Sequence, residues 1–475
     1  MKARLVPVLL AAALAAAGCS LEPSDDAPAG TVKVVIGYQS KTINTVTAGT
    51  LLRAKGFLEQ RLAAITASGG AEYQVEWQDY DTGAPITAQM VAEKIDIGSM
   101  GDYPLLINGS RTQANERSAT SLVSVTGYNP KGALNMVVVP NDSTATGLHD
   151  LAGRKVSASV GSAGHGTLVQ ALSRAGIDPA SGVEVVNQQP QVGASALESH
   201  QVSGLSQFVA WPGLLVFQDK AKLLYDGAEL DYPTFHGVVA RRAYSAEHPE
   251  VLQAFLAAQL DATNFLNEQP FEAARIVAEG SGLPQEVVYL YNGPGGTSFD
   301  TTLKPSLVEA LEGDVPYLKS IGDFAELDIA GFVDDAPLRE AFAATGQGDY
   351  DRALAERANP SRVSGTDPVC KVEAGDPAAA GEVWLDGAEE PQPAADPNCL
   401  LRAVREAKAA GAQVRAAYIP DAELGTRWFA DKAVWLRDGE KFLPFTTESA
   451  AQRYRQAHPG AVPVGYEQAI AEVRP

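Results

Sequence analysis

Hydrophobic positions along this chain fall in short blocks that switch between two periods. The run Val32-Lys33-Val34-Val35-Ile36-Gly37 is nearly continuous and apolar, which predicts a buried strand. Thr50 to Ala64 carries Leu51, Leu52, Phe57, Leu58 and Leu62 at roughly helical spacing. Tyr73 to Trp77 alternates as a second strand, Ile86 to Lys94 predicts a short helix, and Ile95 to Gly98 a third strand. This alternation predicts a largely parallel sheet with helices on both faces, an α/β unit.

A second unit of the same kind starts near Ala133. Leu134 to Val139 and Lys155 to Val160 predict strands, and the latter runs into Gly161-Ser162-Ala163-Gly164-His165-Gly166 before a helix from Thr167 to Arg174. Val183 to Val186 and Phe208 to Trp211 are expected to continue that sheet, and Phe235 to Val239 to return to the first. Long helices follow at Pro249 to Glu268, Phe271 to Gly280 and Lys304 to Leu311. Such a chain crosses between units twice, near Gly127 to Gly132 and Tyr232 to Gly237, and the pair of crossings makes a hinge. After Gly346 a polar linker with Pro360 and Gly365 leads to a separate region of about a hundred residues, a usual domain size. There, helical Leu400 to Ala410, strand-like Val414 to Ile419 and Ala433 to Leu436, and helical Glu448 to Ala457 predict a small α+β domain.

The start of the chain changes the picture of where it works. Lys2 and Arg4 precede an apolar run from Leu5 to Ala17 and then Gly18-Cys19, the pattern of an export signal. That run is shorter than the ~20 residues a spanning helix needs. Ala17-Gly18-Cys19 resembles the lipobox of bacterial lipoproteins, which implies removal of residues 1–18 and lipidation of Cys19. Residues 19–30 hold Glu, Pro, Ser, Asp and Gly with little that is apolar, and are expected to form a tether. The formal charge of −21 argues against nucleic acid as a partner, because neutralising phosphates needs a basic surface.

Candidate chemistry starts at Gly161 to Gly166, a glycine-rich turn that opens a helix. The first turn of a helix offers unpaired N–H groups and partial positive charge, and glycines admit a ligand to the backbone. Ser162 and Thr167 add hydroxyls, so the loop suits a small anionic head group. A capped tight turn is the alternative.

Ser159 to Leu168 resembles the conserved box of nitrate/sulfonate/taurine-type solute-binding proteins of ABC importers. Val186-Asn187-Gln188-Gln189-Pro190, Ala194 to Leu197, Phe208-Val209-Ala210-Trp211-Pro212 and Ile95 to Pro104 resemble further pieces of that family in order. The resemblance covers about Val32 to Phe342. It implies a two-lobed periplasmic-binding-protein-like fold (type II) over residues 31–345, with lobe 1 at about 31–127 and 237–345 and lobe 2 at about 128–236. It also implies a small-molecule solute held between the lobes and handed to permease and ATPase subunits, with no catalysis. Ligand contacts are expected from Gln39, Ser40, Lys41, Thr42, Ser99, Met100, Asp102, Ser162, His165, Thr167, Gln189 and Trp211. Several have a second reading: Lys41 as a solvated loop lysine, Trp211 as core, Asp102 as a helix cap, and His165 as a support behind the ligand. Many relatives carry Asp or Glu between the Trp and the Pro. Trp211 is followed directly by Pro212, which weakens the case for an amine-bearing ligand.

Past the linker at 346–366, Arg427 to Leu436 and Leu443 to Ala451 resemble the nitrous oxide reductase accessory protein family (NosL), over about residues 367–475. That resemblance implies copper handling. However, the family's Met-Cys-Gly-Met box stands here as Val369-Cys370-Lys371-Val372, and no Met follows Met136. Thioether ligands suit Cu(I), and their absence counts against it. Cys370 and Cys399 therefore remain open as a disulfide, as a Cu(I) pair with His458 as a third ligand, or as free thiols. A disulfide would stabilise by about 3 kcal/mol in the chain-entropy model. A metal-handling protein is the competing reading. No Ser/His/acid constellation supports a hydrolase.

Overall fold

The computed structural model describes residues 30–474. The leader, most of the tether and Cys19 lie outside the described residues. Two five-stranded sheets form the larger part. The first contains β1 (Thr31–Tyr38), β2 (Glu72–Asp79), β3 (Ile97–Gly101) and β4 (Thr120–Asn129). The second contains β5 (Asn135–Pro140), β6 (Lys155–Ala158), β7 (Glu184–Asn187), β8 (Gly204–Phe208) and β9 (Ala221–Asp226). The chain then returns, and β10 (Thr234–Arg241) completes the first sheet in the order β2-β1-β3-β10-β4. The second sheet has the matching order β7-β6-β8-β5-β9. In each, three neighbouring strands are parallel and the last two pairings are antiparallel. This is the α/β two-lobed, periplasmic-binding-protein-like fold.

Alternation within the central strands explains their nearly unbroken apolar sequence. Val34 and Ile36 face one buried cluster with Leu52, Phe255 and Leu338, while Val35 faces another with Ile86, Tyr103 and Leu307. A strand covered on both faces needs apolar residues at every position. Local signals set the helix ends. Pro249, Pro270 and Pro305 open their helices at a position where the missing N–H costs nothing. Gly282, at φ 72°, closes Pro270–Ser281 in a left-handed conformation that suits glycine. Among the described residues, no helix is long and apolar enough to cross a membrane.

Three expectations shift. Phe208 ends β8, and Trp211 starts the helix Trp211–Phe217 instead of extending the strand. The helix after β6 begins at Ala163, with Ser162 as its cap, so His165 and Thr167 lie inside it. The segment expected as linker includes the helix Tyr350–Ala355, whose Tyr350 is buried in the first lobe against Phe342.

The C-terminal region adds an additional small sheet domain. β11 (Gly381–Leu385), β12 (Gln392–Ala394), β13 (Val414–Pro420) and β14 (Arg427–Phe429) form an antiparallel sheet in the order β12-β11-β13-β14. β15 (Val434–Asp438), β16 (Lys441–Phe445) and β17 (Val462–Val464) form a second, ordered β16-β15-β17. The helix Pro397–Ala409 packs Leu400, Leu401 and Val404 onto them. Cys370 and Cys399 are joined as a disulfide with an S–S distance of 2.01 Å.

Candidate ligand-binding cleft

The carboxyl ends of the parallel strands in both sheets point toward one interlobe cleft, where ligands bind in open α/β sheets. A cavity of about 410 Å³ lies there. Its wall includes Thr82, Gly101, Ser162 and Gln189. Each is the N-cap of a helix: Gly83–Val91, Asp102–Thr112, Ala163–Arg174 and Pro190–Glu198. Two belong to each lobe. Thr82, Gly101 and Gln189 make no side-chain cap bond, whereas the Ser162 hydroxyl accepts from the His165 backbone N–H at 3.2 Å. Four helix starts on one cavity wall give it a partial positive character without a buried cation.

Three neighbouring polar side chains are held in place by their own partners. The Gln39 amide donates to the Ser99 carbonyl at 3.0 Å and accepts from the Thr42 hydroxyl at 3.3 Å. Ser159 donates to the Gln188 carbonyl at 2.9 Å and accepts from Gln207 at 3.1 Å. The His236 ring pairs through Nδ1 with the Asn44 amide at 2.7 Å, and burial pushes its pKa down to about 3. His236 is therefore neutral near pH 7. Arg111 and Asp323 are the charged residues of the lining, and both are exposed. Pro104, Ile107, Val160, Phe208 and Phe324 supply an apolar portion.

Of the residues expected from sequence, Gln39, Ser162 and Gln189 line this cavity. The others stand behind or beside it. Ser99 and Thr42 position Gln39, as above. The Ser40 backbone N–H donates to Asp79 at 2.8 Å. Met100 is fully buried, and its sulfur accepts from the Thr87 hydroxyl at 3.8 Å. Asp102, the first residue of its helix, accepts from the Tyr103 N–H at 2.8 Å and from the Thr234 hydroxyl at 2.6 Å. Burial raises its pKa to about 6. His165 is buried, accepts from the Gly161 N–H at 3.2 Å, and has its pKa lowered to about 4 by burial. Thr167 is buried within its helix. Trp211 belongs to the core, and Lys41 sits 6.0 Å from the centre of its ring instead of lining the cavity.

The glycines of the Gly161–Gly166 loop are explained by packing. Gly161 has φ 82°, the left-handed region. A Cβ on Gly164 would sit 2.7 Å from the Gln207 backbone, and one on Gly166 would overlap the Tyr103 ring. Gly166 thus lets Tyr103 of the first lobe press onto a helix of the second, where the Tyr103 hydroxyl accepts from Gln170 at 2.9 Å. The Ala210 N–H also reaches the Lys41 carbonyl across the lobes at 3.4 Å. The lobes thus touch each other, a closed arrangement.

The contacts expected from sequence leave out Thr82, Arg111 and His236, and also Ser159 and Asn187, although these two lie in segments that carry the resemblance. Thr82-Gly83 carried a usable signal, because it follows a parallel strand and starts a helix. Arg111 lies at the far end of a helix, and His236 on an antiparallel strand, so only the fold brings them here.

Of the three readings left open for Cys370 and Cys399, the structure has the disulfide, which leaves no thiolate to ligate Cu(I). Asp367 lies next to the pair but is spent on the backbone N–H groups of Val369, Cys370 and Ala395. His458 stacks on Tyr454 at 4.0 Å.

Residues 106–273 match the family described as NMT1/THI5 like. The chain is 27% identical over 301 residues to the taurine-binding periplasmic protein of Escherichia coli (strain K12), across 61% of this chain and 88% of that protein. It is 25% identical over 272 residues to a putative aliphatic sulfonates-binding protein of the same organism, across 57% and 77%. The alkanesulfonate-binding protein of Xanthomonas axonopodis pv. citri, bound to MOPS, shares the fold with a TM-score of 0.54 and 21% identity, across 64% of this chain and 99% of that one. The nitrate-binding protein of Synechocystis PCC 6803 shares it with a TM-score of 0.50 and 14% identity, across 71% and 94%.

Proposed function

We propose that this protein is the extracytoplasmic solute-binding component of an ABC importer, and that it captures a small organic anion of the sulfonate type between its lobes. The observation that carries this reading is the convergence of four helix N-caps, two from each lobe, on one interlobe cavity. A sulfonate offers three acceptor oxygens to such N–H groups, and the apolar part of the wall suits an alkyl tail. Closing the lobes over the ligand is a hinge motion that a permease can sense. The similarity to taurine- and sulfonate-binding proteins supports the same ligand class. Among the lining residues the one carboxylate, Asp323, is exposed, so a ligand ammonium gains little from it. An alkanesulfonate is therefore expected to bind at least as well as taurine.

Anchoring through a lipid on Cys19 belongs to the same proposal. A Cys19→Ser variant that is released from the membrane, with loss of the lipid mass, supports it. Unchanged fractionation overturns it.

A thermal-melt panel of ethanesulfonate, taurine, nitrate and CuCl tests the ligand class. A ligand at a hundred times its Kd adds about 2.7 kcal/mol. Stabilisation by ethanesulfonate is expected. Stabilisation by copper alone contradicts the proposal.

A further inference from the structure

The C-terminal domain rests on both lobes at once, beside the two crossings. On the first-lobe side, the Tyr289 hydroxyl donates to Glu382 at 3.0 Å, and Arg415 pairs with Glu286 at 2.5 Å. Arg427 donates to the Pro294 carbonyl at 2.7 Å, and Phe271 packs edge-on against Trp384 with centroids 4.8 Å apart. On the second-lobe side, Phe429 meets Phe217 at 5.4 Å, and Lys432 pairs with Asp219 at 2.6 Å. The Thr446 hydroxyl donates to Asp226 at 3.1 Å, and Arg453 reaches Glu229 at 3.1 Å. At the crossing itself, Lys131 donates to the Leu424 carbonyl at 3.2 Å. Beneath these contacts runs a single buried cluster. It joins Ile43 and Val46 of the first lobe, Leu205 and Trp211 of the second, and Trp384, Tyr418, Trp428 and Phe429 of the C-terminal domain.

We infer that the C-terminal domain is an intramolecular brace that holds the lobes at the closed angle and sets how readily they part. The inference builds on the hinge in the proposed function. Rotating the lobes about the crossings moves Asp219, Asp226 and Glu229 relative to Glu286 and Pro294. A domain with its own core and disulfide does not follow both sides. Opening therefore detaches one side. The second-lobe side is the one that yields, because its polar links are two partly exposed ion pairs and the Thr446 and Thr426 contacts to Asp226. The first-lobe side adds the Tyr418 ring, 5.4 Å from the Tyr289 ring, and the Tyr418 hydroxyl, which donates to the Glu286 carbonyl at 3.1 Å.

The test is single-molecule energy transfer across the cleft mouth in the full chain. Labels go on Val91→Cys and Val192→Cys, which are exposed on opposite lobes, with Cys19→Ser so that no other cysteine outside the disulfide takes a label. No ligand is needed. The otherwise unaltered protein is expected to give one narrow, short-distance population. Combining Lys432→Glu with Arg453→Glu is expected to raise the open population at least tenfold. Adding Asp219→Lys and Glu229→Arg should restore the closed population, which separates a lost contact from misfolding. A broad distribution before the reversals overturns the inference, as does a reversal that leaves the distribution unchanged or one that the compensating pair does not rescue. If the reversal opens the lobes but ethanesulfonate does not reclose them, the brace stands and the ligand class fails.

Discussion

The lobes meet on two faces built from different materials. At the cleft they touch through a bare glycine helix face under Tyr103, a few polar contacts and a cavity ringed by helix starts. At the back, beside the crossings, they share an aromatic core with a third domain, reinforced by ion pairs. Polar, sparsely packed surfaces separate at low cost, because water replaces what is lost. Desolvated aromatic clusters do not, because each ring buries a large apolar area. The contrast assigns ligand exchange to the front and control of the hinge to the back.

The largest effect is expected at the back. Trp428→Ala removes a fully buried indole from the shared cluster and should cost about 3 to 5 kcal/mol. Because that cluster spans all three parts, denaturant unfolding of lobes and C-terminal domain should shift together. A shift confined to the C-terminal domain would break the comparison.

Next comes Asp226, buried under the C-terminal domain and facing Asp421, Thr446, Thr426 and the Ala228 N–H. Burial raises its pKa to about 7, and the nearby Asp421 carboxylate adds to that. Between the ordinary carboxylate value and pH 7, the folded state binds the extra proton. Stability is thus highest at the low end of that window and falls as pH rises through it. The contribution lost is on the order of 4 kcal/mol. Asp226→Asn should flatten the stability profile between about pH 4 and 7, measured by denaturant melts.

A smaller effect is expected at the front. Gly166→Ala drives a methyl into the Tyr103 ring and should cost about 1 to 3 kcal/mol, as overpacking does. Here the loss should fall mainly on ligand affinity, read by titration with ethanesulfonate, since the lobes can relieve the clash by parting. The smallest effect is expected from Arg111→Ala. Its guanidinium is solvated at the rim, so anion affinity should drop by no more than about 1 kcal/mol, with a shallower salt dependence.

Much of the architecture was legible in the sequence. Val32 to Gly37 could only be a two-sided strand, and Phe235 to Val239 had to find a sheet after the second unit was complete. The site was less legible. The Gly161–Gly166 loop does start a helix at the cleft, yet a glycine reads the same whether ligand or Tyr103 comes close. Trp211 before a proline suits a cleft wall and a core equally, and only the neighbours decided for the core. Arg111 and His236 carried no local signal. Cys370 and Cys399 show spacing but not pairing, and the fold brings their Cα atoms to 5.9 Å.

The most direct test of the account is a crystal structure of the protein with the tightest-binding anion of the melt panel. The account predicts the sulfonate oxygens within hydrogen-bond distance of first-turn N–H groups near Thr82, Ser162 and Gln189, with the tail against Ile107 and Phe208. An anion bound elsewhere, or one in the cavity that touches none of those helix starts, would contradict it.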